Sequence, residues 1–131
     1  MSAQSQDRNT QDLVIHVGTQ AASVVLPASI LSRKVLIKQV SLLNGAAVAA
    51  SDTNYVQVSL KNGSTVIAEL DSRAAHEDGL ASLTKEALNL VAAQLTQVKN
   101  SVLSVDIVAA GTVTLTNAKL IIQVVPVGSA D

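Results

Sequence analysis

Short runs of alternating apolar and polar residues, each stopped by Gly, Asn or Pro, leave this chain few folds to adopt. In Val56–Lys61 the side chains of Val56, Val58 and Leu60 share one face of an extended strand, opposite Gln57, Ser59 and Lys61. The same period returns in Ser101–Ala110, where Leu103, Val105 and Ile107 alternate with Ser104 and Asp106, and again in Thr112–Thr116. "LVIHV" (Leu13–Val17), "SVVLP" (Ser23–Pro27), "KVLIKQVSLL" (Lys34–Leu43) and "AKLIIQVVPV" (Ala118–Val127) are further β-branched runs. A branched Cβ fits a pleated surface, so these segments favour strands. Turn residues between so many short strands predict an all-β, single-domain antiparallel β-sandwich or jelly roll of about eight strands, spanning residues 13–131. Residues 1–12, "MSAQSQDRNTQD", are polar and without period, and read as a flexible N-terminal arm.

Two local expectations are sharper. Asn62 and Gly63 mark a structural turn between Val56–Leu60 and Val66–Leu70. A three-residue loop, Lys61-Asn62-Gly63, pairs Val58 with Val66 and places Gly63 in the left-handed region, where a residue without Cβ is comfortable. "ALNLVAAQLTQV" (Ala87–Val98) fits both periods: Leu88, Val91, Leu95 and Val98 at helical spacing, Leu88, Leu90 and Ala92 at strand spacing. The surrounding strands favour strand for 87–92.

Strict alternation puts Leu36, Val40 and Leu42 on one face of Lys34–Leu43, and Val35, Ile37 and Leu43 on the other. Leu120, Ile122 and Val124 likewise oppose Ile121 and Val125. A sandwich buries one face of each strand. Val35, Ile37, Leu43, Ile121 and Val125 are therefore candidates for an interface between copies of the chain.

The chemistry-bearing residues are few. Tyr55 is the only aromatic residue of 131, so there is no stacking surface for single-stranded nucleic acid. With a net charge of −1, the chain lacks the basic face that duplex binding needs. No run approaches the roughly 18 apolar residues of a membrane helix, and the N-terminus lacks a signal-peptide core. The absence of Cys removes thiolate metal sites and suits synthesis in a reducing cytoplasm. His76, Glu77 and Asp78 are ligand-type residues, but neighbours in a strand point to opposite faces, and His16 or a distant carboxylate would have to complete a site. No nucleophile elbow or phosphate loop is present, and "NGS" at Asn62–Ser64 reads as turn chemistry rather than a glycan acceptor. The residues point to no catalytic, metal or cofactor site.

"ASDTNYVQVSLKNGSTVIAELDSRAAHEDGLAS" and "ALNLVAAQLTQVKNSVLSVDIVAAGTVTLTNAKLIIQVVPV" resemble small virion proteins of tailed bacteriophages. In these a "DTNY" segment opens a strand, an "NG" hairpin follows, and an "LSVDI…G" strand pair precedes the last strand. The resemblance covers about residues 34–127 and departs at "TQVKNSVLS" (Thr96–Ser104), where a Gly-Asp turn is more usual. It implies a jelly-roll decoration, or cement, protein on the outer head surface, without catalysis, often a homotrimer, whose partner is the major capsid protein. A receptor- or sugar-binding module of a fibre or other virion appendage is the alternative.

Overall fold

Val, Ile and Leu at every second position give each strand a face that must leave water, and two sheets stacked face to face remove all of them at once. A computed structural model describes residues 10–73 and 79–127. Its strands are β1 (Gln11–Gln20), β2 (Val24–Ile30), β3 (Val35–Leu43), β4 (Val56–Asn62), β5 (Thr65–Asp71), β6 (Lys85–Ala87), β7 (Asn89–Leu90), β8 (Thr96–Gln97), β9 (Val102–Ala109) and β10 (Leu115–Pro126). Sheet A runs β1-β10-β3-β6, with β8 also on β3, and sheet B runs β2-β9-β4-β5-β7. All pairings are antiparallel. Apart from the β4–β5 hairpin, each strand hands the chain to the opposite sheet. This interleaving is a jelly roll, with β6 and β8 at the far edge of sheet A and β7 at the far edge of sheet B.

The core between the sheets is aliphatic. Val56, Val58, Leu60, Leu103, Val105, Ile107, Leu120 and Ile122 are fully buried there, each worth about 1.5–3 kcal/mol relative to exposure. Buried polar groups are satisfied. Asn44 Oδ1 accepts from the Thr116 amide at 2.7 Å, and Ser72 Oγ accepts from the Val56 amide at 2.8 Å. Among the described residues no buried side-chain nitrogen or oxygen lacks a partner.

Bulges, rather than strict alternation, decide which residues face inward. Gln39 pairs with Gln123 but Ile37 with Val124, so Lys38 is an extra residue in β3. The extra residue switches the face. Val35 and Ile37 are consequently 5% and 1% exposed, in the same core as Val40 and Leu42. This corrects the expectation that Val35 and Ile37 belong to a second, outward face. Leu43, Ile121 and Val125 do point outward and are half-buried.

A bulge also sets the β4–β5 register. Asn62 pairs with Thr65 and Lys61 with Val66, but Leu60 pairs with Ala68 and Val58 with Leu70. The loop is therefore the two residues Gly63-Ser64, not Lys61-Asn62-Gly63, and Val58 meets Leu70, not Val66. Ile67 is the extra residue; it and Ala68 are both buried. Without it, Val58 would face Glu69. The left-handed assignment of Gly63 holds, with φ at +62°, at the first loop position of a II′-like turn.

Residues 85–97 cross the sandwich edge. β6 pairs with β3, β7 with β5, and β8 returns to β3. Ala87–Leu90 is thus extended, as the strand reading expects, but Ala92–Gln94 forms a 3-10 turn. The arm boundary also moves: β1 begins at Gln11, because Gln11 and Asp12 pair with Val124 and Gln123 of β10. Residues 1–9 and the cluster His76, Glu77 and Asp78 lie outside the described residues.

Candidate contact surfaces

The outward face of sheet A is ordered in rows. Because Ile15, Leu120 and Leu42 pair across the core face, the residues on either side of each point outward. One outer row is Val14, Ile121, Ser41 and Ala87; the next is His16, Lys119, Leu43 and Lys85. Rows two residues apart on a strand are about 7 Å apart. A largely apolar row, in which Ser41 is polar and itself buried, therefore runs beside a row carrying two lysines and a histidine across the sheet. Val125 and Leu36 form a further outward pair. Neither Lys85 nor Lys119 belongs to the ion pairs described below.

Sheet B has a different outer face. Lys61 Nζ reaches Asp106 Oδ2 at 2.8 Å, and both side chains are partly exposed; such a pair contributes about 0–1 kcal/mol. At the β5 end, Asp71 accepts from Gln57 Nε2 at 2.8 Å and from the backbone amide of Arg73 at 2.9 Å. The Arg73 guanidinium binds the same carboxylate and sits 5.2 Å from the centre of the Tyr55 ring. Partial burial pushes the Asp71 carboxyl up, but the hydrogen bonds from Arg73 and Gln57 outweigh it and hold its pKa at about 2. The chain's only aromatic ring thus serves as a plate for a structural guanidinium.

The lateral sides of the sandwich carry the most exposed apolar groups. β1 and β2 form one side, and β6, β7 and β8 the other. Val25, Ile30 and Val102 are exposed on the outer face of sheet B at its β2 margin, Val25 beside Asp106, and Leu83, Val91 and Val98 are exposed on the opposite side. Leu83 is 74% exposed and has φ of +52°, an unusual backbone for a bulky residue. Its amide donates to the Asn44 carbonyl at 2.8 Å, and Ser82 Oγ donates to the Gly45 carbonyl at 3.1 Å. The turn is pinned while the Leu83 side chain projects.

A cleft of about 450 Å³ opens at one end between Ala47–Asn54 and Thr112–Thr114. The side-chain oxygens of Asn54 and Ser51 there are engaged internally. Asn54 Oδ1 accepts from the Thr112 amide at 2.9 Å, and Ser51 Oγ accepts from the amides of Thr53 and Asn54 at 3.2 and 3.0 Å.

Of the sequence candidates, Leu43 and Ile121 lie on the outer rows of sheet A and Val125 beside them, while Val35 and Ile37 are core. Asn62 and Gly63 sit at the hairpin, with Asn62 Nδ2 donating to Gln97 Oε1 at 2.8 Å. His16 is exposed on β1 beside Lys119. Alternation alone does not single out Val14, Val25, Ile30, Leu83, Val91, Val98 or Val102. One signal was present: Ala21–Ser32 and Ala87–Val98 contain no charged residue. Comparison with known proteins found no matching family model, no matching curated protein and no matching solved structure.

Proposed function

We propose that this chain is a non-enzymatic virion structural protein that binds the outside of a bacteriophage head lattice through the outer face of sheet A and decorates or stabilises it. The observation that carries the reading is the pair of outer rows, Val14–Ile121–Ser41–Ala87 beside His16–Lys119–Leu43–Lys85. A broad sheet face with an apolar centre and adjacent cations suits docking onto a protein surface that presents carboxylates. The phage assignment draws on the "DTNY", "NG" and "LSVDI…G" segments, and the jelly-roll fold agrees with it. In this reading the major capsid protein is the partner, the protein acts as a homo-oligomer, with a trimer suggested by the same resemblance, and it reaches the virion from the host cytoplasm.

Co-sedimentation with purified heads tests the proposal. Wild-type protein should pellet with heads at a fixed ratio to the major capsid protein and release as salt rises, since surface charge contacts are screened. Lys85→Glu with Lys119→Glu should lose binding while keeping the wild-type melting temperature. Failure of the wild type to bind heads, or its absence from purified virions, would reject the reading. Specific binding to a defined sugar on a glycan array would favour an appendage module instead.

A further inference from the structure

We propose that the cleft between Ala47–Asn54 and Thr112–Thr114 binds a short, uncharged peptide segment in extended form, held by backbone groups that sheet A leaves unpaired there. The inference does not rest on the capsid reading and needs no second copy of the chain.

The cleft lies where the β3–β10 ladder comes apart. Leu43 pairs with Lys119, and just beyond β3 the Gly45 amide still donates to the Thr116 carbonyl at 2.8 Å. On the opposite flank of the same run, Val48 and Leu80 exchange two backbone hydrogen bonds, at 2.8 and 2.7 Å. In a trans peptide the carbonyl and the following amide point in opposite directions. With the Val48 amide and carbonyl both on Leu80, the Ala47 carbonyl and the Ala49 amide must point the other way, toward β10. That is the side on which Gly45 finds Thr116. Ala47 and Ala49 find no such partner: among the described residues neither group is hydrogen-bonded, and the Thr114 hydroxyl across the cleft is not either.

These groups select the ligand. An acceptor and a donor bracketing one residue of an extended run are what a strand offers to another backbone. From Ala47 to Ala49 they match a stretch of about three residues, roughly 10 Å long. The volume, about 450 Å³, falls in the range of small-ligand sites. None of the lining residues is charged, so a charged side chain would lose hydration there without gaining a partner. Ala47 and Ala49 leave room beside the backbone, while Val48 and Val113, both packed on the core, supply an apolar floor. The one aromatic ring that could stack on a sugar, Tyr55, lies against Arg73 instead.

The walls are fixed before any ligand arrives. The Gly45–Thr116 bond ties one end, and the Thr112 amide on Asn54 Oδ1, at 2.9 Å, ties the other. Ser51 Oγ braces the loop between them through the amides of Thr53 and Asn54. A preformed site loses little conformational freedom on binding. Gln11 pairs with Val124 at the far end of the sandwich from the Gln20–Leu115 pair, so neither end of the described chain fills the cleft.

Amide NMR spectra of the isotope-labelled full chain, titrated with the blocked peptide acetyl-Ser-Val-Thr-Val-Ser-amide, test the proposal. A few backbone hydrogen bonds support millimolar affinity, so the titration runs to about 10 mM. The amides of Ala49, Val113 and Thr114 should shift saturably, while those of β2 and β9 should not. The same peptide N-methylated at its three central residues cannot donate from them and should bind about tenfold more weakly or not at all. Ala49→Pro removes a donor that nothing in the chain uses, and the extended backbone at Val48 tolerates a following Pro. It should keep the wild-type melting temperature and lose peptide binding to a similar extent. Ala47→Glu, at an exposed position, places a charge in the cleft and should do the same if the Pro variant proves misfolded. No saturable shift, equal binding of the methylated peptide, or a folded variant that binds like the wild type would overturn the proposal. Saturable shifts of these amides with maltotriose but not with the peptide would overturn it in favour of a sugar site.

Discussion

Asn54 and Gly111 meet so closely that no side chain fits at position 111. A Cβ there would lie 2.6 Å from the Thr53 carbonyl oxygen and closer still to Asn54 Oδ1. The same Asn54 oxygen accepts from the Thr112 amide at 2.9 Å. Gly111 has φ of +69°. The turn between β9 and β10 is thereby keyed to the loop between β3 and β4, closing one end of the jelly roll.

Gly111→Ala should therefore destabilise the fold by about 2 kcal/mol or more, through both positive φ and collision. Asn54→Ala should cost about 1 kcal/mol, the usual net value of a hydrogen bond. Urea denaturation midpoints measure both, and the Gly111 variant should fall further.

At the hairpin the ordering reverses. A Cβ on Gly63 would meet nothing within 4 Å, so Gly63→Ala should cost only its backbone strain, about 1 kcal/mol. Asn62→Ala removes the donor to Gln97 Oε1, and Gln97 is 4% exposed. Leaving a buried acceptor unpaired costs about 1–3 kcal/mol. Asn62→Ala should thus match or exceed Gly63→Ala; a clearly smaller loss would show that the Asn62–Gln97 bond contributes nothing.

Ile37 and Val125 separate core from surface. Ile37→Ala should lose about 2–5 kcal/mol by leaving a cavity between the sheets. Val125→Ala, on the outer face, should lose about 1 kcal/mol or less. Equal losses in thermal or chemical unfolding would contradict the switch of face at Lys38.

Asp71 makes the fold sensitive to acid. Its pKa falls from 3.8 to about 2 in the folded chain, so the unfolded chain takes up the proton more readily. The carboxylate's contribution is present above pH 3.8 and is lost as pH falls towards about 2. The stability difference between wild type and Asp71→Asn should shrink across that window. A difference independent of pH would show that the Arg73 and Gln57 bonds do not favour the ionised form.

Much of the fold was legible along the chain because alternation is a local property. Val56–Val58–Leu60 and Leu103–Val105–Ile107 needed only a period of two to be placed on a buried face, and all six residues are 0% exposed. Gly63 was readable as left-handed because a tight turn with that sequence favours a residue without Cβ. The contact surfaces were less legible. Ile121 and Val125 followed from alternation, but Ile30 and Val98 carry no local mark beyond the charge-free runs they belong to, and Leu83 carries none.

By itself, then, the sequence determined the all-β class, the main strands and the conformation of Gly63, since each depends on residues close together in the chain. The tertiary structure alone decided which face Val35 and Ile37 occupy, how Val58 meets Leu70, and where residues 85–97 cross between sheets. Those outcomes depend on bulges at Lys38 and Ile67 and on pairing with distant strands. A bulge shifts every later side chain to the other face, and the pattern within one strand cannot reveal whether its partner requires one.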